Sequence, residues 1–159
     1  MIHIVDNFLP EEEFKSIQSL MMSERFRWFY VEGRVREDDG LYHMGHMFFQ
    51  PDVGSNSDHL DLWNTFMDKV EAKKCKRIKA NLTFKTPTIE VTAFHNDYDD
   101  IKTTVFYINT NNGYTEFESG VRVSSVANRV CIFDSNLKHR GTTHSEGDHK
   151  RIVVNFNYA

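Results

Sequence analysis

A histidine and an aspartate in one short run are the first candidates for chemistry. Val91, Ala93, His95 and Asp97 occupy alternate positions of the sequence. Alternate residues of a β-strand project from the same face, so an extended conformation brings this imidazole and this carboxylate together. With a histidine from a distant strand they form a 2-His-1-carboxylate set, which binds Fe(II) and leaves coordination positions open. His-x-Asp alone is a weak signal, because it also occurs in surface turns where aspartate bonds its own backbone.

Several histidines compete for the third ligand position. His139 follows a strand-like run, whereas His144 and His149 lie in a polar loop, where histidines are commonly solvated. His43 and His46 are three residues apart in an apolar, extended stretch, so they point to opposite faces. We interpret these two as packing or lid residues.

The last strand-like run has one polar and one apolar face. The apolar face consists of Ile152, Val154, Phe156 and Tyr158, and the other face of Arg151, Val153, Asn155 and Asn157. The second face is too polar for a core. A guanidinium at Arg151 can make a two-pronged, charge-assisted pair with a carboxylate, which a lysine holds less specifically. Lys150 points the other way and is the weaker candidate.

The elements that position these residues change in character along the chain. A short strand at residues 2–5 precedes a helix that starts at Pro10, with three glutamates in its first turn. A second helix is predicted after Ser57 or Asp58 as its cap. From about Arg77 onward, short runs of β-branched and aromatic residues alternate with glycines, which is typical of a sandwich or barrel. The glycine-rich segment 32–57 is predicted to be a lid, or loops between strands.

Length and composition limit the class of protein. A chain of 159 residues fits a single domain, 1–159, with one core. No run approaches the roughly 20 apolar residues of a membrane span, and the first residues lack the features of a secretory signal. We therefore expect a soluble, cytoplasmic protein with no membrane partner. Cys75 and Cys131 are expected to be reduced thiols. The net charge of −4 makes a nucleic-acid partner unlikely, although a local basic patch exists at residues 73–79.

Five segments together resemble a known family. They are Thr103–Asn109, Gly113–Phe117, Ala127–Asp134, His139–Gly141 and Arg151–Phe156. In order and spacing they are similar to the 2-oxoglutarate/Fe(II)-dependent dioxygenases, especially the prolyl-4-hydroxylase-like branch. The resemblance covers most of residues 78–159. It implies a mainly β (α+β) fold, a double-stranded β-helix or jelly roll braced by two or three N-terminal helices.

The resemblance also implies a site. His95, Asp97 and His139 are expected to bind the iron, with His144 as the rival third ligand. Arg151 is expected to bind the distal carboxylate of 2-oxoglutarate, and Tyr107 to bind the same co-substrate through its hydroxyl. A buried tyrosine with a local partner is the alternative for Tyr107. Asn81 is a further candidate for this pocket. Fe(II), 2-oxoglutarate and O2 are the implied cofactors, with ascorbate as an accessory reductant.

The expected reaction is oxidative decarboxylation of 2-oxoglutarate coupled to hydroxylation. The carboxylate at Asp97 disfavours halogenation, because halogenases of the family leave that position empty for chloride. A peptide or protein substrate is slightly favoured over a small molecule. A nucleic-acid demethylase ranks lower, because those relatives carry a second arginine where this chain has Asn157.

Two readings from outside the family remain open. A non-catalytic β-sandwich binding module leaves the ordered ligand set unexplained. A cupin-like metalloenzyme predicts more histidines on the metal and no need for Arg151. The compact length also suits a phage or bacterial member of the family, in which case a phage protein would act in the host cytoplasm.

Overall fold

The computed structural model describes residues 1–35, 39–55 and 57–159. Helices are found only in the first half of these ranges: α1 is Glu11–Met22, a 3-10 turn spans Leu60–Trp63, and α2 is Asn64–Lys69. The strands are β1 (His3–Val5), β2 (Phe29–Glu32), β3 (Tyr42–Gln50), β4 (Gly54–Ser55), β5 (Cys75–Phe84), β6 (Lys102–Tyr107), β7 (Tyr114–Phe117), β8 (Arg122–Ser124), β9 (Arg129–Asp134), β10 (His139–Gly141) and β11 (Lys150–Tyr158). The prediction of a mainly β fold is confirmed.

Two antiparallel sheets make up the architecture. The larger has the order β1-β9-β6-β11-β5-β3-β2, with β4 paired to β3, and the smaller has the order β10-β7-β8. Strand β11, last in sequence, lies in the middle of the larger sheet between β5 and β6. Strand β1, first in sequence, pairs with β9 near the other end. This two-sheet, jelly-roll-like arrangement places the polar face of β11 inside the molecule.

The helices pack on the apolar face of the larger sheet. The ring of Phe14 in α1 meets Phe106 edge-on at 5.8 Å, and Phe66 in α2 stacks on Phe156 at 3.8 Å between centroids. Trp63 meets Phe156 at 5.2 Å and is 1% exposed. Truncating a buried aromatic such as Phe66 to alanine costs roughly 3–5 kcal/mol. These aromatic contacts join the helices to the face of the larger sheet that is opposite the polar side chains of β11.

The second helix begins later than the sequence predicts. Ser57 does not cap it, because its hydroxyl accepts the amide of His59 at 3.1 Å and contacts His46 Nε2 at 2.8 Å. The chain first makes the 3-10 turn, and α2 follows without a side-chain cap. A residue engaged in a local turn and a tertiary contact is lost to helix capping.

The middle segment, interpreted from sequence as a lid or loops, contains a long strand. Strand β3 pairs with both β2 and β5, and Met44 opposes Leu82. Its pattern is difficult to recognise because polar, apolar and glycine residues are mixed on both faces. His43 and His46 lie on opposite faces of β3, as alternation predicts: His43 lines a cavity, and His46 packs against Phe26 and Phe48.

A smaller core lies between the sheets. It includes Tyr107, Phe117, Cys131 and Phe133, all at most 2% exposed. Both cysteines are free thiols, as predicted, and burial raises the pKa of Cys131 to about 12. This core supports the edge of the cavity described below.

Among the described residues, no helix has both the length and the apolar character needed to cross a membrane.

Candidate metal centre

His95 and Asp97 lie on an extended segment rather than in a regular strand. His95 exchanges two backbone hydrogen bonds with His139, at 3.0 and 2.9 Å, and the Asp97 amide donates to the Ser135 carbonyl at 3.2 Å. The pairing is an isolated bridge because β10 is only three residues long. These few bonds suffice to orient both side chains toward the inside of the sandwich.

The structure brings the three predicted ligands together. One ligand atom each of His95, Asp97 and His139 lies within 4.8 Å of the other two. The rings of His95 and His139 are 4.6 Å apart, and His95 Nε2 is 3.8 Å from Asp97 Oδ1. Two imidazoles and one carboxylate on one side of an ion leave its other side open, and this donor set suits Fe(II).

Asp97 is held by a network of side chains. Asn157 Nδ2 donates to Asp97 Oδ2 at 3.0 Å, and the Thr103 hydroxyl donates to the same oxygen at 3.3 Å. Arg77 Nη2 is 3.3 Å from Asp97 Oδ1, while Arg77 Nε donates to the Asn157 carbonyl oxygen at 2.9 Å. Burial works to raise the pKa of Asp97, but Arg77, the two ligand histidines and Asn157 together hold it below the ordinary value. The carboxylate is therefore ionised and fixed in orientation.

The His139 ring is neutral, and one of its nitrogens is free to bind a metal. Its Nδ1 lies 2.9 Å from the Leu137 carbonyl, which can only accept, so Nδ1 carries the proton and Nε2 has the free lone pair. The ring packs edge-on against Phe133 at 4.8 Å. Burial lowers the pKa of His139. A hydrogen bond to the second ring nitrogen is the usual way in which a protein orients a metal-binding histidine.

The competing histidines lie elsewhere. His144 is fully buried, contrary to a solvated loop position, and its Nε2 contacts the Asp148 carbonyl at 2.6 Å. His149 is exposed. Neither belongs to the cluster of three side chains that could hold a metal, whose third member is His139.

Arg151 lies in a cavity of about 400 Å³ that also contains the ligand cluster. The side chain is 4% exposed, and burial lowers its pKa to about 10. Nε donates to the Ser125 hydroxyl at 2.9 Å, but the buried Nη2 has no hydrogen-bond partner within the described part of the chain. An unpartnered buried guanidinium nitrogen is costly, which indicates a position built to receive an anion.

Gly113 makes room for this guanidinium. A Cβ at residue 113 would lie 2.6 Å from both Cδ and Nε of Arg151 and 2.8 Å from the Thr143 carbonyl oxygen. Because the carbonyl belongs to the backbone, no small side-chain movement relieves the clash. Only glycine fits here while Arg151 keeps its position.

The other predicted co-substrate residues have different positions. Tyr107 is fully buried and does not line the cavity; its hydroxyl donates to the Thr115 hydroxyl at 2.8 Å, and Thr115 does line it. Asn81 also lines the cavity. Lys150 points away, as expected, because its ammonium donates to the Met22 carbonyl at 2.6 Å.

One wall of the cavity was recognised from the sequence only at Asn81. Strand β5 contributes four alternate polar residues, Arg77, Lys79, Asn81 and Thr83. Two of them, Arg77 and Lys79, belong to the run of basic residues at 73–79, which the sequence alone indicates to be a local basic patch. The missed signal was period-two polarity on a strand whose other face, at Ile78, Ala80 and Leu82, is buried.

No protein-family model matches the chain, and no curated protein matches it. Solved structures with the same fold include a 2OG-Fe(II) oxygenase and prolyl hydroxylases.

Three of these structures show the extent of the likeness. A prolyl hydroxylase from Trichoplax adhaerens, solved with a peptide of the hypoxia-inducible factor, has a TM-score of 0.70 and 12% identity, covering 99% of this chain and 82% of that one. A 2OG-Fe(II) oxygenase family protein from Burkholderia pseudomallei has a TM-score of 0.70 and 11% identity, with 99% and 85% coverage. HygX from Streptomyces hygroscopicus, solved with nickel and 2-oxoglutarate, has a TM-score of 0.64 and 10% identity, with 99% and 82% coverage. The resemblance predicted from the sequence is thus confirmed at the level of the fold.

Proposed function

We propose that the protein is a non-haem Fe(II) dioxygenase that couples oxidative decarboxylation of 2-oxoglutarate to hydroxylation of a substrate. One observation carries the proposal: a His-Asp-His cluster and an unpartnered, buried arginine nitrogen line the same cavity. A metal site alone would fit many activities. An anion receptor beside it fits a chelating co-substrate that carries a distal carboxylate.

The residues have separate roles. His95, Asp97 and His139 hold the iron, and Arg151 receives the distal carboxylate of 2-oxoglutarate with Ser125 fixing its Nε. Tyr107 acts on the co-substrate through Thr115, whose hydroxyl it orients. With O2, the bound iron and co-substrate supply an oxidant: 2-oxoglutarate becomes succinate and CO2, one oxygen atom enters succinate and the other enters a C–H bond of the substrate.

Hydroxylation is preferred over related reactions for a residue-based reason. Asp97 occupies the carboxylate position and is held by Asn157, Thr103 and Arg77, so it is not replaceable by a halide. A nucleic-acid demethylase is disfavoured, because residue 157 is an asparagine engaged with the ligand carboxylate. A peptide or small-molecule substrate remains the proposal, since the structural neighbours include a peptide complex and a hygromycin B complex.

Residues 1–159 form one domain in this proposal, because β1 and β11, the first and last strands in the sequence, belong to one sheet. A cytoplasmic location and ascorbate as an accessory reductant stay predictions.

Calorimetry of 2-oxoglutarate binding to Ni(II)-loaded protein tests the proposal. The wild type is expected to bind, and Arg151→Gln to bind roughly 10- to 100-fold more weakly, which is the typical effect of losing a charged hydrogen bond. Arg151→Lys should restore part of the affinity, since it keeps the charge and loses the fork.

The same titration separates the competing functions. Ni(II) affinity should be equal in all three proteins. Binding of 2-oxoglutarate that does not depend on Arg151 would favour a cupin-like site, and no binding of metal or 2-oxoglutarate would favour a non-catalytic module.

A further inference from the structure

The part of the cavity wall formed by β5, β3 and the residues after β2 carries an excess of positive charge. Among the residues that the structure describes, four cationic side chains line the cavity, Arg34, Arg77, Lys79 and Arg151, and one carboxylate does, Asp97. Arg77 is engaged by Asp97, and Arg151 is assigned to the co-substrate. Arg34, two residues after the end of β2, and Lys79 on β5 remain, together with His43 on β3. We call Arg34, His43 and Lys79 the cationic wall.

Lys79 is the centre of the cationic wall. It lies on β5 opposite Asn155 of β11, on the same face as Arg77. Its ammonium has one polar contact among the described residues, with His43 Nε2 at 3.5 Å. Burial lowers the pKa of Lys79, and Arg77 lowers it further, whereas Asp97 raises it. Lys79 is half-buried, and a partly desolvated ammonium is stabilised by a carboxylate partner, which none of the described residues provides at hydrogen-bond distance.

The backbone beside Lys79 is adapted to its side chain. A Cβ at Gly45 would be 3.3 Å from Lys79 Cε and 3.0 Å from Val31 Cγ2. The absence of a side chain at Gly45 lets the lysine chain lie flat across β3. His43, two residues away on the same face, is fixed by its Nδ1 contact with the Gly33 carbonyl at 2.9 Å.

Arg34 adds a second unsatisfied cation. Its Nε donates to the Tyr42 carbonyl at 2.9 Å, but the buried Nη1 has no hydrogen-bond partner within the ranges that the structure describes. Among the described residues, Nη1 has one carboxylate within ion-pair distance, that of the half-exposed Glu90 at 3.9 Å. This contact is too long for a hydrogen bond. Arg34, a lining residue of the cavity, therefore has a donor that no described residue fills.

We propose that the substrate carries a carboxylate or phosphate group, which Lys79 and Arg34 bind while its reacting carbon faces the metal. This inference rests on the proposed function and names the chemical class of its substrate. Two cations with unfilled donors hold an anion by charge-assisted hydrogen bonds. His43 does not donate to the anion, because its proton is on Nδ1; its Nε2 accepts from Lys79 and orients the ammonium. The group is either part of a free metabolite or an acidic side chain of a peptide.

Calorimetry with simple anions tests the cationic wall. The protein is loaded with Ni(II) and saturated with 2-oxoglutarate, so that Arg151 is occupied. The probes are inorganic phosphate, propionate and the peptide acetyl-Ala-Glu-Ala-amide, with propionamide as the neutral probe. We expect at least one anionic probe to bind with millimolar affinity and propionamide not to bind. The anion that binds tightest indicates whether phosphate, a free carboxylate or a peptide side chain is preferred.

Charge-matched variants assign the binding. Lys79→Gln and Arg34→Gln should each weaken the anion about 10-fold, the lower end of the range for a charged hydrogen bond. Lys74→Gln removes the same charge from an exposed residue outside the cavity and should change it less than twofold. Anion binding that is equal in all variants, or binding of no anionic probe, would overturn the inference.

The inference and the proposed function fail in different ways. If 2-oxoglutarate binds but no anion does, only the inference falls. If Lys79→Gln instead weakens 2-oxoglutarate and Arg151→Gln does not, the co-substrate occupies the cationic wall and both assignments are wrong. If an anion binds through Lys79 while 2-oxoglutarate does not bind at all, the proposed function falls and the cationic wall stands.

Discussion

The two sides of the cavity differ in how their polar groups are satisfied. Around the ligand cluster, Asp97 contacts Asn157, Thr103 and Arg77, and His139 contacts a backbone carbonyl. Elsewhere in the cavity, buried donors and acceptors lack partners. The described residues contain six buried side-chain polar atoms without a hydrogen bond, and four of them belong to cavity residues: Arg34, Thr83, Arg151 and Asn155.

This difference separates the residues that position a metal from the residues that bind an exchangeable molecule. A metal ligand must be held rigidly before the ion arrives, so its surroundings are complete within the protein. A binding surface for an exchangeable molecule must keep unfilled donors for that molecule. Native proteins leave few buried polar groups unpaired, so their concentration in one cavity marks the part of the site that receives ligands.

Removing His139 should have the largest effect on the completed side. His139→Ala is expected to weaken Ni(II) or Fe(II) binding by at least roughly 100-fold, since one of the three proposed protein ligands is lost. His144→Ala should leave metal affinity within about twofold, because His144 lies outside the cluster. Equilibrium dialysis of both variants, with circular dichroism as a check on folding, measures the contrast. Equal loss in both would contradict the assignment of the third ligand.

Gly113→Ala should have the next largest effect, on the receiving side. The added Cβ displaces Arg151, so the affinity for 2-oxoglutarate should fall roughly 10- to 100-fold, as for loss of the guanidinium contact itself. Metal affinity serves as the internal control and should not change. Calorimetry of the Ni(II)-loaded variant provides both values; an unchanged 2-oxoglutarate affinity would show that Arg151 is not the receptor.

Two asparagines on the same face of β11 sharpen the comparison. Asn157→Ala removes a bridge to Asp97 and should lower metal affinity about 10-fold, the lower end of effects seen for groups that orient ligands. Asn155→Ala, two residues earlier, removes an atom without a partner and should leave metal affinity within about twofold. Dialysis against a competing chelator measures both. A larger loss in Asn155→Ala would reverse the proposed division of the cavity.

The smallest expected effect concerns His46, on the core face of β3 behind His43. Burial lowers the pKa of His46 below 6.5, although its bond to the Arg27 carbonyl opposes this. As the pH falls, His46 is therefore protonated in the unfolded chain at a higher pH than in the folded protein. The stability contributed by neutral, buried His46 is complete above about pH 6.5 and is lost as the pH falls toward the lower folded-state pKa. Urea unfolding of the metal-free protein should give a shallower loss of stability below pH 6.5 in His46→Gln than in the wild type. Identical pH dependence in both would contradict the role of His46.

The sequence predicted the site better than it predicted the surrounding walls. His95, Asp97, His139 and Arg151 were recognised because their spacing has a chemical reason and their order matches a known family. Only Asn81 of the β5 wall was predicted, because Arg77 and Lys79 resemble surface charges until the pairing with β11 is known. Strand β3 was missed for a similar reason, since its mixed residues face a cavity on one side and a core on the other. Such assignments depend on long-range pairing, which local patterns do not contain.

Succinate formation tests the central claim most directly. Protein loaded anaerobically with Fe(II) and 2-oxoglutarate is exposed to air, and succinate is measured in the wild type, in Asp97→Ala and in Asp99→Ala, which changes an exposed carboxylate two residues away. The account predicts turnover in the wild type and in Asp99→Ala, and none above background in Asp97→Ala. Turnover that survives in Asp97→Ala, or a wild type that neither forms succinate nor binds 2-oxoglutarate, would contradict it.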